Sequence, residues 1–140
     1  MISSVISLCL LSFFFIGLVH AWPNIPFLHT VVQIHNAITN SDLAVHCYAP
    51  YYDLGPQDLP PGTQYEFQFK PSFFFNTKFN CSFGWTNITQ SNDMDVSRTF
   101  DIYAQSRDFF RCPDLCTWWI TIDGPCRGVG SFNCVPFPWQ

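Results

Sequence analysis

His46 stands beside Cys47 in the stretch LAVHCYAPYYDLG (Leu43 to Gly55), with Tyr48, Tyr51, Tyr52 and Asp53 close behind. A histidine next to a cysteine can make a nucleophile or a metal site, because imidazole accepts the thiol proton and both groups bind soft cations. The flanking residues argue against either use. Leu43, Val45 and Cys47 alternate with Ala44, His46 and Tyr48, the period of a strand, in which successive side chains turn to opposite faces. His46 and Cys47 then point apart, the cysteine toward the apolar side. Phe79, Cys81, Phe83 and Trp85 make a second apolar face, and Cys116, Trp118, Ile120 and Ile122 a third. Cysteines in register with core residues belong in buried disulfides, whereas a nucleophile needs exposure and an electropositive neighbour.

The remaining reactive types read the same way. His29, His35 and His46 contain no His-x-x-x-His pair. Cys112, Cys116, Cys126 and Cys134 could imitate a four-thiolate zinc site, but an exported chain meets oxidising conditions first. Asp53, Asp58 and Glu66 are the acids of their region; Asp53 precedes Leu-Gly, where its carboxylate can cap backbone amides. Arg107 and Asp108 form a loop-fixing pair, with recognition as the lesser alternative. No catalytic residue, metal site or cofactor is expected. Asn87-Ile88-Thr89 is a glycosylation sequon in an expected loop, and Asn80-Cys81-Ser82, inside a strand, is expected to stay unused.

The elements that must position these groups are strands. Short alternating runs recur between turn signals and no long helical period appears, so the chain is expected to be all-β. The predicted strands are Thr30–Asn36, Leu43–Tyr48, Thr63–Lys70, Thr77–Trp85, Arg98–Ala104 and Cys116–Ile122, and all 11 prolines fall outside them. Long connections are predicted at APYYDLGPQDLPPG (Ala49 to Gly62), TNITQSNDMDV (Thr86 to Val96) and QSRDFFRCPDL (Gln105 to Leu115).

Export is read from the amino end. Val5 to Val19 is an apolar run leading into Val19-His20-Ala21, a small-residue cleavage pattern after a stretch too short for a comfortable membrane span. Residues 1–21 are expected to be a signal peptide, with an uncleaved anchor as the lesser alternative, and 22–140 one secreted, extracellular domain, with no stable membrane insertion after cleavage. Cys9 would leave with the leader, and the other six of the seven cysteines are even in number, as a disulfide framework requires. The expected bridges are Cys47–Cys116, Cys81–Cys112 and Cys126–Cys134, because the first two tie candidate core strands to one late segment. Exchanging the partners of Cys112 and Cys116 is the nearest alternative. Six basic residues against ten acidic ones, nowhere clustered in the sequence, leave no electrostatic footprint for nucleic acid. Charged residues make up 11% of the chain and aromatics 19%, against about 25% charged on average, so the surface is expected to lean on Ser, Thr, Asn and Gln or to be partly covered by a glycan or a partner.

Several motifs in order resemble one family. Asn36 with Leu43, Val45, His46 and Cys47; Asp53-Leu54-Gly55 followed by Leu59, Gly62, Tyr65, Phe67 and Phe69; TKFNCSFGW; and Phe100, Ile102, Tyr103, Arg107, Asp108 and Cys112 before CTWWITIDG together resemble the plant self-incompatibility protein homologues. The resemblance implies a small antiparallel β-sandwich held by disulfides, secreted, acting as an extracellular signal and not as an enzyme. Tyrosines stand where that family often has acids before the Leu-Gly turn, and the Cys126 and Cys134 tail is an addition.

The leading expectation is therefore a secreted, non-enzymatic recognition protein, a ligand for a cell-surface receptor. Tyr51 and Tyr52 are the expected contact residues, since tyrosine gives large contact area at low entropic cost, and Trp119 is the next candidate. A carbohydrate-binding module, using Trp119 or the two tyrosines as stacking platforms, and a hydrolase or inhibitor are the alternatives. Phe73, Phe74 and Phe75, and the pair Trp118 and Trp119, must point to both faces of their segments, so some of these rings are expected to lie away from the main core, either under the tail PFPWQ or in a partner-contact patch.

Overall fold

A computed structural model of the protein describes residues 29–87, 94–129 and 133–140; the expected signal peptide, 1–21, lies outside the described residues. Among the described residues, nine strands and one helical turn follow in order: β1 Thr30–Asn36, β2 Leu43–Ala49, β3 Tyr52–Leu59, β4 Gln64–Phe69, β5 Lys78–Asn87, β6 Met94–Ala104, α1 Gln105–Asp108, β7 Leu115–Thr121, β8 Gly124–Val129 and β9 Asn133–Pro136. They form a five-stranded sheet, β4-β1-β7-β8-β9, and a four-stranded sheet, β3-β2-β5-β6. Every pairing is antiparallel except β1 with β7. The chain leaves the first sheet after β1 for β2 and β3 of the second, returns for β4 beside β1, crosses again for β5 and β6, and comes back at β7 on the other side of β1.

Period-2 alternation sets the core. In β1 buried and half-buried residues alternate along the whole strand, and Phe79, Cys81, Phe83 and Trp85 line the inner face of β5. Cys116, Trp118 and Ile120 do the same in β7, whereas Ile122, expected on that face, lies exposed beyond the strand end. Two aromatic layers close the interior. Phe67, Phe69, Phe79 and Tyr103 meet at one level, with ring centroids 4.7–5.1 Å apart for Phe69–Phe79, Phe69–Tyr103 and Phe67–Phe79. Phe100, Trp118 and Phe137 meet at the other, at 5.1–5.9 Å. Burying each such side chain stabilises by roughly 1.5–3 kcal/mol.

The carboxyl-terminal tail is part of this core. Phe137 enters between the sheets, Trp139 packs on Phe83 and Trp85, and Gln140 bonds the edge strand β6 through Thr99 and Asp101. The tail thus covers an edge that would otherwise offer unpaired strand groups. It meets Trp118 through Phe137 but does not cover Phe73, Phe74 and Phe75, which stand 74, 92 and 78% exposed, so for these three the tail alternative is corrected. At Gly124 (φ +149°) a Cβ would lie 2.2 Å from the Phe137 carbonyl oxygen, which is why the tail's close approach requires glycine there.

The disulfides differ from the expected pairing. Cys47 is bonded to Cys81 and Cys112 to Cys116, in place of Cys47–Cys116 and Cys81–Cys112; Cys126 is bonded to Cys134. The reason is strand adjacency: β2 and β5 are antiparallel neighbours, and their register sets Cys47 directly opposite Cys81. Cys116, also on a core face, belongs to the other sheet and closes a short loop before β7 instead. With sequence separations of 34, 4 and 8, loop-closure entropy alone makes the bridges worth about 4, 2 and 2.5 kcal/mol.

The segment Ala49 to Gly62, expected as a loop, contains β3. Pro56 lies within it, and β3 tolerates a missing N–H because it is an edge strand with one side unpaired. The Thr86–Val96 loop is likewise shorter than expected, as β5 runs to Asn87 and β6 begins at Met94.

Candidate functional site: an aromatic hairpin at one end of the sandwich

β2 and β3 form a hairpin whose turn is Pro50-Tyr51, since Ala49 pairs with Tyr52. Proline supplies its fixed φ at the first turn position, and Tyr51 takes φ +68° at the second, a place usually left to glycine or asparagine. A bulky residue there is uncommon, and the left-handed conformation costs an L-residue about 1–2 kcal/mol. The strained residue is also fully exposed, and Tyr52 beside it is 62% exposed.

Below the turn, two residues of β3, Leu54 and Gly55, oppose the single Cys47 of β2, and Gly55 takes φ +75°. This is a bulge made possible by a left-handed glycine. Asp53 holds it: its Oδ1 accepts a hydrogen bond from Gly55 N–H at 2.8 Å and another from His46 Nε2 at 2.6 Å. The Gly55 amide first, and the His46 imidazole second, hold the Asp53 carboxyl below the usual carboxylate range. His46 lies edge-on to Tyr48, 6.3 Å between centroids. On the opposite face of β2, Cys47 is covalently tied to β5. The strained tip is therefore carried on a hairpin fixed from both faces.

The register places other groups at the same end. Tyr48 stands opposite Asn80, so the turn after β2 lies level with the start of β5 and the connection that precedes it. Lys78 stands opposite Ala104, which brings α1 and Phe110 there as well. Phe73, Phe74, Phe75 and Phe110 are all exposed at this end. Phe110 went unnoticed in the sequence, although a Phe pair directly after a charged residue was the available signal.

Arg107 and Asp108 do fix a loop, with a third partner from β8. Asp108 is fully buried and accepts bonds from Arg107 Nε (2.9 Å), Arg107 Nη2 (2.6 Å), Arg127 Nη1 (2.7 Å) and Ala104 N–H (2.9 Å). The Arg107 guanidinium lies 5.0–5.2 Å from the ring centroids of Phe100, Trp118 and Phe137. Asn36 plays the matching part at the far end, donating to the carbonyls of Ser41 and Leu59 and accepting from Ile38 N–H.

Trp119 is separate from the hairpin. It lies on the outer face of the other sheet, stacked on His35 at 5.3 Å and over Gly128, where a Cβ would come within 2.5 Å of the indole. Burial lowers the His35 pKa, favouring the neutral ring. Asn80 spends its amide on Asp101 at 2.9 Å. Asn87 ends β5, and the loop that follows it lies outside the described residues. Among the described residues, no group of three or more His, Cys, Asp or Glu side chains converges as a metal site would need.

The family model described as plant self-incompatibility protein S1 matches residues 31–138. Among curated proteins, S-protein homolog 5 of Arabidopsis thaliana is 39% identical over 111 residues, covering 79% of this chain and 78% of the relative. S-protein homolog 18 of the same plant is 35% identical over 134 residues, covering 94% and 90%. A solved structure of SPH (self-incompatibility protein homologue) proteins, described as small, highly stable, secreted proteins from plants, superposes with a TM-score of 0.51 at 16% identity, covering 80% of this chain and 93% of that one. The residues that carried the resemblance are those the fold uses for its bulge, its buried Asp108 cluster and its Asn36 staple, and with a match over nearly the whole described chain they lead to one conclusion: the protein belongs to the plant self-incompatibility protein S1 family.

Proposed function

We propose that this protein is a secreted recognition ligand that acts by binding, without catalysis, and that its partner is a plant cell-surface receptor protein gripped through Tyr51 and Tyr52. The observation that carries this reading is the fully exposed Tyr51 at φ +68°. Strain kept at a solvent-facing tip contributes nothing to packing, and such outliers concentrate at binding sites. The hairpin beneath is clamped by Cys47–Cys81 and by His46–Asp53, so little entropy is lost when the tyrosines dock. The groups a hydrolase would need, His46, Asp53 and Asp108, are instead engaged in structural bonds. Trp119, stacked on His35, serves a carbohydrate platform less well than a free ring would.

Affinity capture on plant plasma-membrane protein, followed by mass spectrometry, identifies the partner, and direct binding then compares variants. Tyr51→Ala with Tyr52→Ala is expected to abolish binding while near-UV circular dichroism and secretion survive. Tyr51→Gly relieves the strain, so its unfolding midpoint should equal or exceed the parent's while affinity falls. Full binding by the double variant refutes the hairpin as the contact surface, and glycan binding lost in Trp119→Ala would replace the receptor reading.

A further inference from the structure

Phe73, Phe74, Phe75 and Phe110, 74–92% exposed, form an apolar surface of a kind that marks an interaction site. The loop bearing the first three is firmly built. Ser72 Oγ accepts from the N–H groups of Phe74 and Phe75 at 3.2 Å, and Thr77 Oγ1 accepts from Ser72 N–H at 2.9 Å. The Gln105 side chain spans the loop, donating to Ser72 O at 2.8 Å and accepting from Thr77 N–H at 2.9 Å. Gln105 opens α1, which leads to Phe109 and Phe110, in edge-to-face contact at 5.0 Å. Loop and helix together border a shallow depression of about 300 Å³.

Charge sorts around these rings. Of the chain's six basic residues, Arg107 and Arg127 are committed to Asp108. Lys70, Lys78 and Arg111 each lie within three residues of an exposed phenylalanine; within the same span the one acid is the buried Asp108, with Asp114 a residue further on. Lys78 is ion-paired with Asp101 yet still 55% exposed. The net charge of −4 opposes general adsorption to an anionic surface, so any such attraction must be local to this end.

Phe73, Phe74, Phe75 and Phe110 rim that shallow depression and remain 74–92% exposed, so they present protruding tips around it. A fluid interface accommodates separate tips, whereas a folded partner needs a pocket for each. Apolar faces carrying Trp, Phe or Leu bury at the headgroup–acyl boundary of bilayers, and basic residues are drawn to anionic headgroups. We propose that this end of the sandwich docks reversibly on a phospholipid bilayer, with the four phenylalanine rings at the headgroup–acyl boundary and Lys70, Lys78 and Arg111 against the phosphates. The contact is peripheral and holds the β2–β3 hairpin at the membrane surface.

Co-sedimentation of the mature protein with vesicles of phosphatidylcholine, alone or mixed with phosphatidylserine, tests this. The protein should partition onto both, more strongly onto the mixed vesicles, with the excess lost in high salt. Phe74→Ser with Phe75→Ser should lower the partition coefficient at least about tenfold, as expected when two buried rings are removed. Lys70→Gln with Arg111→Gln should remove the preference for phosphatidylserine, and Tyr51→Ala with Tyr52→Ala should leave partitioning intact even where receptor binding is lost. The proposal is overturned by absence of vesicle binding, by equal partitioning of the phenylalanine variant, or by a solution dimer that the same variant dissolves, which would make a second copy the occupant.

Discussion

Replacing Asp108 by Asn should be among the most destabilising single changes in the domain. The carboxylate is fully buried, accepts four hydrogen bonds and is the shared counter-ion of Arg107 and Arg127. Asparagine keeps the shape but turns an NH2 group toward guanidinium donors and leaves two buried cations without their anion. Breaking a buried pair by removing one partner costs about 3–5 kcal/mol, a large share of a total stability of roughly 5–15 kcal/mol. At about 4 °C per kcal/mol for a domain of this size, Tm should fall by roughly 12–20 °C. Near-UV circular dichroism is the suitable probe, because Phe100, Trp118 and Phe137 surround Arg107. Arg127→Gln and the double variant complete a cycle whose coupling energy should reach about 1–3 kcal/mol. A loss under about 1 kcal/mol for Asp108→Asn, or no coupling to Arg127, would refute the claim that this cluster ties α1 to β8.

Two further outcomes follow from single contacts. Gly124→Ala places a Cβ 2.2 Å from a backbone oxygen of Phe137; unseating that ring should cost about 3 kcal/mol and expose the tail to limited proteolysis, and an unchanged midpoint would show that the tail is not seated by this contact. The Asp53 carboxyl is held below its ordinary value by the Gly55 amide and His46, so its contribution is present above the ordinary carboxylate pKa of about 3.9 and is lost as pH falls through the lower folded value. Titration of the Gly55 amide by NMR should therefore show its midpoint below that of an unstructured aspartate, and a midpoint at or above it would remove Asp53 as the clamp.

How much of this was legible in the sequence depended on how local the cause was. Strand period is local, so the six strands with clean alternation, their buried faces and the outward turn of His46 could be read from residue types alone, as could the Asp53 turn. β3, β8 and β9 could not. The segment around Pro56 reads as a loop because proline breaks most strands, and only its position at the edge of a sheet makes it a partner for β2. Four consecutive buried residues open β8, so no alternation announced it. The disulfides show the same division: alternation sent Cys47, Cys81 and Cys116 to the core, but which two meet depends on which strands are neighbours, a non-local outcome of sheet packing. In the same way, the exposure of Phe73, Phe74 and Phe75 was decided when the tail took its place between Trp118 and Phe83, leaving those rings uncovered at the end that also carries Tyr51. Side-chain period lies in the order of residues, whereas adjacency across a sheet exists only once the chain has closed on itself.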